Sequence, residues 1–216
     1  MRYSIFFLIK TSARRLFLFI FADMNNHQPT VERHPWPPYI PDGAQYLFLG
    51  TFPPKPERWS MPFFYPNKIN DFWRIMGIIF FEGNRDALWD KQLQRFDLES
   101  IKNLLDREGI ALWDTAMAVR RLRDNASDKF LDIVEPIDLA TLLASHPTIA
   151  TMVTTGEKAT GVVAEQAGID IPAIGIPVAC QIGHRQFTLW RMPSSSRAYP
   201  LSLDKKADAY RNVFGR

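Results

Sequence analysis

Four short apolar runs, each closing where small or polar residues gather, set the tightest limit on what this chain can fold into. They are Tyr46-Leu-Phe-Leu-Gly-Thr-Phe-Pro-Pro54, Ile110-Ala-Leu-Trp-Asp114, Ile149-Ala-Thr-Met-Val-Thr-Thr-Gly156 and Phe187-Thr-Leu-Trp-Arg-Met-Pro-Ser-Ser-Ser-Arg197. A continuous apolar run of about 4–8 residues bounded by turn signals is the pattern of a strand buried on both faces of a parallel sheet. In open parallel sheets, ligands sit outside the carboxyl ends of the strands. That rule brings four distant segments of the chain to a single expected cleft.

Helical periodicity fills the intervals. Residues 70–81 carry Phe72, Trp73, Ile75, Met76, Ile79 and Phe80 on one face, the i, i+3, i+4, i+7 spacing of a half-buried helix. A second helix is expected over 97–108, closed by Gly109, a third over 136–145, stopped before Pro147, and a fourth over 157–166, ended by Gly168. A last one spans 204–213, with Ser202 available as its N-cap. Strand and helix alternate with crossovers of helical length, so the expected fold is α/β: a three-layer α/β/α sandwich with a central, mainly parallel four-stranded sheet. The span 169–182, rich in Pro, Gly and Ile, reads as a connection or a short extra strand.

A length of 216 residues suits one α/β domain, here expected over 46–216. Residues 24–45 read as an extended, Pro-rich arm. The first 23 residues contain two apolar blocks split by Lys10, Arg14 and Arg15. Neither approaches the ~20 consecutive apolar residues of a membrane span, and no small-x-small cleavage site follows the second. This segment reads either as an extension from an upstream start, with Met24 the true beginning, or as a membrane-surface helix. A hydrophobic content of 46% excludes global disorder. The single cysteine, Cys180, excludes an intrachain disulfide and any multi-cysteine metal site and suits a reducing cytoplasm. His27, His34, His146 and His184 show no metal-ligand spacing and read as structural or solvated. A net charge of +3 with a pI of about 9.0 favours a nucleic-acid partner only mildly.

The loops after the runs carry the chemistry. In the first, Gly50 lets the backbone turn sharply and approach a ligand, and Phe52 follows it. Phe63, Phe64 and Tyr65 then precede Asn70 at a helix start; flat rings there stack on a base or pack the core, and Asn70 caps the helix or acts at the cleft. Asp114 stands at the end of the second strand, where a carboxyl group can read the edge of a base. Arg120, Arg121, Arg123 and Lys129 surround Asp128 as a basic loop, solvated or in contact with phosphates. Ser194, Ser195, Ser196 and Arg197 offer hydroxyls, N–H groups and a guanidinium suited to phosphate oxygens, or form a flexible turn.

Taken in order, these residues resemble the uracil-DNA glycosylase superfamily, closest to its mismatch-specific and hypoxanthine-DNA glycosylase branch. Gly50-Thr-Phe-Pro53 resembles the first motif of that branch, and Tyr65-Pro-Asn-Lys-Ile-Asn-Asp-Phe-Trp-Arg74 its Tyr-x-His-Pro-x-Asn-x-Phe-Trp segment. Gly109-Ile-Ala-Leu-Trp-Asp114 is similar to the second-strand motif, Ser127-Asp128 to a Ser-Asp pair after it, and Thr155-Gly156-Glu-Lys-Ala159 to Asn-Gly-x-Lys-Ala. Met192-Pro-Ser-Ser-Ser196 is similar to the closing Leu-Pro-Ser-Thr-Ser loop. Many members carry a water-activating Asp or Asn in the first motif, where this chain has Phe52. The hypoxanthine-type branch lacks it too and is thought to use the Asn matched by Asn70.

The resemblance implies a monofunctional DNA glycosylase of base excision repair. It would be a cytoplasmic monomer acting on single- or double-stranded DNA containing a damaged base, with no membrane partner. No metal or redox cofactor is implied. Asn70 would be catalytic; Phe52, Phe64, Tyr65, Asp114 and Thr155 would bind the base; Ser194–Arg197 would hold the backbone and fill the vacated space. The rival reading is a catalytically impaired glycosylase-fold protein that binds nucleic acid. A nucleotide-handling α/β enzyme has no phosphate-loop glycine pattern to support it.

Overall fold

Each of the four apolar runs forms a strand, and these strands are neighbours. The computed structural model describes residues 30–123 and 128–215; the segment 1–23, the start of the arm and Ser127 lie outside them. The chain begins with β1 (Val31–Arg33) and β2 (Tyr46–Gly50), then α1 (Phe72–Phe80), a short hairpin of β3 (Trp89–Asp90) and β4 (Arg95–Phe96), and α2 (Leu98–Glu108). Next come β5 (Ile110–Asp114), β6 (Ala116–Arg121), β7 (Leu131–Pro136), α3 (Leu139–Ser145) and β8 (Thr151–Thr154). The remainder is α4 (Glu157–Ala167), β9 (Pro177–Ile182), β10 (Arg185–Arg191) and α5 (Leu203–Arg211).

The main sheet runs β5-β2-β8-β10-β9. Its first four strands are mutually parallel, and β9 pairs antiparallel with β10 at the edge. The sheet therefore has one strand more than the four expected, and the extra one comes from the Pro- and Ile-rich span after α4. Burial on both faces explains the unbroken apolar runs. In β2, Leu47, Phe48 and Leu49 are all fully buried. Phe48 faces a core built with Trp73 and Ile75 of α1, Leu104 of α2 and Tyr210 of α5. Leu47 and Leu49 face a second core with Leu139 and Leu143 of α3 and Val163 of α4. Helices thus cover both faces, which makes three layers.

A second sheet, β1-β6-β7, is wholly antiparallel. It departs from the expectation in two places. Part of the Pro-rich arm is an edge strand, and Arg120 and Arg121 lie on a strand rather than in a loop. The register of β6 against β7 slips between Ala116 and Val119, and such irregularity hides the alternation that marks a strand.

Helix ends follow local chemistry. Asp97 caps α2 by accepting from the N–H groups of Glu99 and Ser100, and Gly109 closes it in the left-handed conformation at φ 63°. Ser202 caps α5 by accepting from Lys205 N–H. The third helix starts later than expected, at Leu139, because 131–136 is committed to β7 and Asp138 takes the cap.

Asp97→Ala should lower stability by about 1 kcal/mol, read as a lower urea midpoint. The Ser100 hydroxyl first, then the Ser100 and Glu99 N–H groups, hold the Asp97 carboxyl below its ordinary range. Its contribution is therefore present above the unfolded value near ~3.9 and fades as pH falls through the lower folded value, so the gap between wild type and variant should close in acid.

Candidate active site

A cleft of about 1420 Å³ opens at the carboxyl ends of β2, β5, β8 and β10. Phe52, Tyr65, Asn70, Asp114, Thr155, Ser194, Ser195, Ser196 and Arg197 all line it. Phe64 does not. It is 1% exposed, with its ring stacked on His34 at 5.8 Å between centroids and edge-on to Trp36 and Phe63. Phe64 therefore packs the core rather than binding a base, because the left-handed backbone at Tyr65 (φ 50°) turns the two neighbouring rings to different environments.

Asp114 forms the floor. It is buried, and its Oδ2 lies 2.9 Å from His34 Nε2, the ring nitrogen that must donate because a carboxylate only accepts. His34 is delivered by the arm: β1 pairs with β6, and the His34 N–H donates to Met117 O at 2.8 Å. Gly50 is required here in a specific sense. A Cβ at that position would stand 2.5 Å from Asp114 Oδ1 and 3.5 Å from the Tyr65 hydroxyl. The ring of Tyr65 stacks on Phe72 at 3.7 Å, and its hydroxyl meets Thr155 Oγ1 at 3.0 Å. Burial first, then the nearby Asp114 carboxylate, push the Tyr65 phenol well above its ordinary range, so it stays neutral.

Asn70 lies in a turn tied by its own N–H to Asn67 O and by Ile69 N–H to Asn67 Oδ1. Its Oδ1 accepts from Phe72 N–H at 2.9 Å, so the side chain braces the start of α1 from one residue ahead of the Asp71 cap position. Asp71 is the anchor beside it. Its buried carboxylate accepts from Arg197 Nε and Nη2 at 3.1 and 2.9 Å and from Lys206 Nζ at 2.9 Å. Its N–H donates to Ser195 O, and Lys206 Nζ, itself fully buried, also donates to Ser196 O. The serine loop is thus pinned rather than flexible. Ser195 is buried, whereas Ser196 and Arg197 remain exposed.

Phe52 lines the cleft as well, packed against Val119 and Leu131 with the Arg121 guanidinium 5.5 Å from its ring centre. The cations read as a basic loop are mostly engaged. Arg121 pairs with Glu32 and donates to Pro53 O, Arg120 pairs with Asp132, and Arg123 lies over Phe130. Asp128, half-buried in the cleft wall, accepts from Thr51 Oγ1 at 2.8 Å.

No protein-family model and no curated protein matches this sequence. Among solved structures, the chain is similar to a solution structure from Methanosarcina acetivorans described as a "putative Uracil DNA glycosylase". The two share 21% identity at a TM-score of 0.56, over 86% of this chain and 99% of that one. This chain has a uracil-DNA-glycosylase-like fold. At that identity the likeness extends to the fold alone.

Asp71, Lys206 and Thr51 carried no site role in the sequence, and His34 read only as structural or solvated. For Lys206 a signal exists: it sits four residues before Tyr210 and next to Ala207, on the apolar face of a helix, where a lysine needs a buried partner. His34 carries no comparable signal, since its partner is 80 residues away. Among the described residues, no group of His, Cys, Asp and Glu is placed to hold a metal ion. Asp71→Ala would leave Lys206 buried without its counter-ion and should cost about 3–5 kcal/mol, read as a lower denaturant midpoint.

Proposed function

We propose that this protein is a DNA glycosylase of the mismatch-specific or hypoxanthine type, releasing a deaminated or mismatched base by hydrolysis of the N-glycosidic bond. The observation that carries this reading is the convergence of residues from five segments (Phe52, Tyr65 with Asn70, Asp114, Thr155, and Ser194–Arg197) on one cleft at the strand ends. The cleft volume also exceeds the ~300–1000 Å³ of typical small-ligand pockets, which favours a polymer over a free nucleoside.

In this reading the target base leaves the stack, at a cost of a few kcal/mol, and enters the cleft. It meets the flat faces of Phe52 and Tyr65, while Asp114, held by His34, and Thr155 meet its edge. Cleavage puts positive charge on the sugar and negative charge on the departing base. N–H groups of the loop after Gly50 stabilise that negative charge. Asn70 acts by position. One lone pair of its Oδ1 is spent on Phe72 N–H, which leaves the second lone pair and the NH₂ group to hold a water at C1′. Ser194, Ser196 and Arg197 contact the backbone on the far side, with Ser195 serving as a buried strut.

A single-turnover release assay on uracil, hypoxanthine and xanthine duplexes tests this. At least one base should be released, and Asn70→Ala should lose most of that release while duplex binding persists. Duplex binding without release of any base would favour the rival, a glycosylase-fold binding protein, for which Phe52 in the first loop speaks.

A further inference from the structure

We propose that Asp128 is the general base that takes the proton of the attacking water, an inference that rests on the glycosylase reading above. The chemistry needs such a group, and the obvious positions lack one. Phe52 has no proton to exchange, and an amide such as Asn70 is far too weak a base. Four carboxyl groups line the cleft. Asp114 is committed to His34 through Oδ2 and, on the reading above, to the edge of the base through its other oxygen. Glu157 pairs with Arg191, and its side chain is 75% exposed. Glu165 is exposed on α4. Asp128 remains.

Its surroundings suit the role. Thr51, the residue beside Phe52, donates its hydroxyl to Asp128 Oδ2 and so fixes the carboxyl plane against the first loop. The first loop thus recruits a carboxylate from a distant segment in place of one of its own. Around it stand Asp114 at the end of β5, Arg121 on β6, Lys158 on α4 and the Tyr65 phenol. Burial raises its proton affinity most, and Asp114 adds to this; the Thr51 bond, Lys158 and Arg121 pull the other way, and the balance lies above the ordinary carboxylate range. A base closer to neutrality is the better catalyst near neutral pH.

The step balances. The water oxygen bonds to C1′, the C1′–N bond breaks with its electron pair passing to the base, and Asp128 accepts the water proton. Protonation of the base from solvent, and loss of the proton from Asp128 to solvent, complete the hydrolysis.

The test is single-turnover release by the full chain across pH 5–9. Wild-type release should fall on the acid side as Asp128 protonates. Asp128→Asn should slow release by about 10²-fold or more, with duplex affinity kept and the acid limb gone. Asn70→Ala should be slow yet keep that limb. Thr51→Val removes a bond that favours the carboxylate, so its acid limb should move to higher pH; this variant serves should Asp128→Asn not fold. An acid limb that persists in Asp128→Asn, release within a few-fold of wild type, or an unmoved limb in Thr51→Val overturns the role of Asp128 alone. Absence of release by the wild type on every substrate overturns the glycosylase reading, and the role of Asp128 with it.

Discussion

The buried Asp71 carboxylate is the tie that holds the turn before α1 to the serine loop. It belongs to the turn that leads into α1, yet its partners, Arg197, Lys206 and the Ser195 carbonyl, belong to the loop after β10 and to α5. Burying an ion pair costs several kcal/mol of desolvation per charge unless the remaining valences are filled. Here they are: Lys206 finds Ser196 O as well, and Arg197 offers two N–H groups to one oxygen. An arrangement of this kind fixes register more than it adds stability, because a hydrophobic replacement could pack α5 but could not specify where the serine loop lies.

The geometry behind the tie comes from strand order. Parallel neighbours β5, β2, β8 and β10 present their carboxyl ends at the same edge, so Asp114, Gly50, Thr155 and Met192 are brought level by the sheet itself. With Asp114 Oδ1 standing 2.5 Å from the site of a Cβ, any side chain at Gly50 would have to displace the Asp114 carboxyl group. The second sheet contributes from behind, as β1 sets His34 against Asp114.

How far the sequence revealed this depends on what kind of force places each part. The central strands were readable because burial on both faces leaves each with a continuous apolar stretch, as in Leu47–Leu49, and the helix ends because Asp97, Gly109, Ser202 and Gly168 act on their immediate neighbours. The second sheet was not. Two of the three residues of β1 are exposed, β7 is buried only at Leu131, and β6 slips in register, so none shows a clean alternation. The same divide runs through the cleft. Strand-end residues such as Asp114 and Thr155 could be placed by rule, whereas Phe63 and Phe64 differed from Tyr65 only through a local backbone turn at Tyr65 that composition does not announce. Contacts such as Thr51 with Asp128, 77 residues apart, have no local signature at all.

The distribution of charge around the cleft bears on how a polyanion would meet it. Arg121, Arg191 and Arg197 line the cleft but are already bound to Glu32, Glu157 and Asp71, and Lys158 donates to Leu131 O. A cation committed to a carboxylate releases fewer counterions when a phosphate arrives, so it adds little to the salt-dependent part of affinity. The exposed cations at the rim, Arg58 and Lys129, would carry most of that attraction. On the glycosylase reading such a surface grips any one site weakly and can leave it readily. Retention would then depend on the cleft accepting an extruded base rather than on the backbone alone. Selectivity for a damaged base follows from that division, because a mismatched or deaminated base costs less to extrude than a paired one.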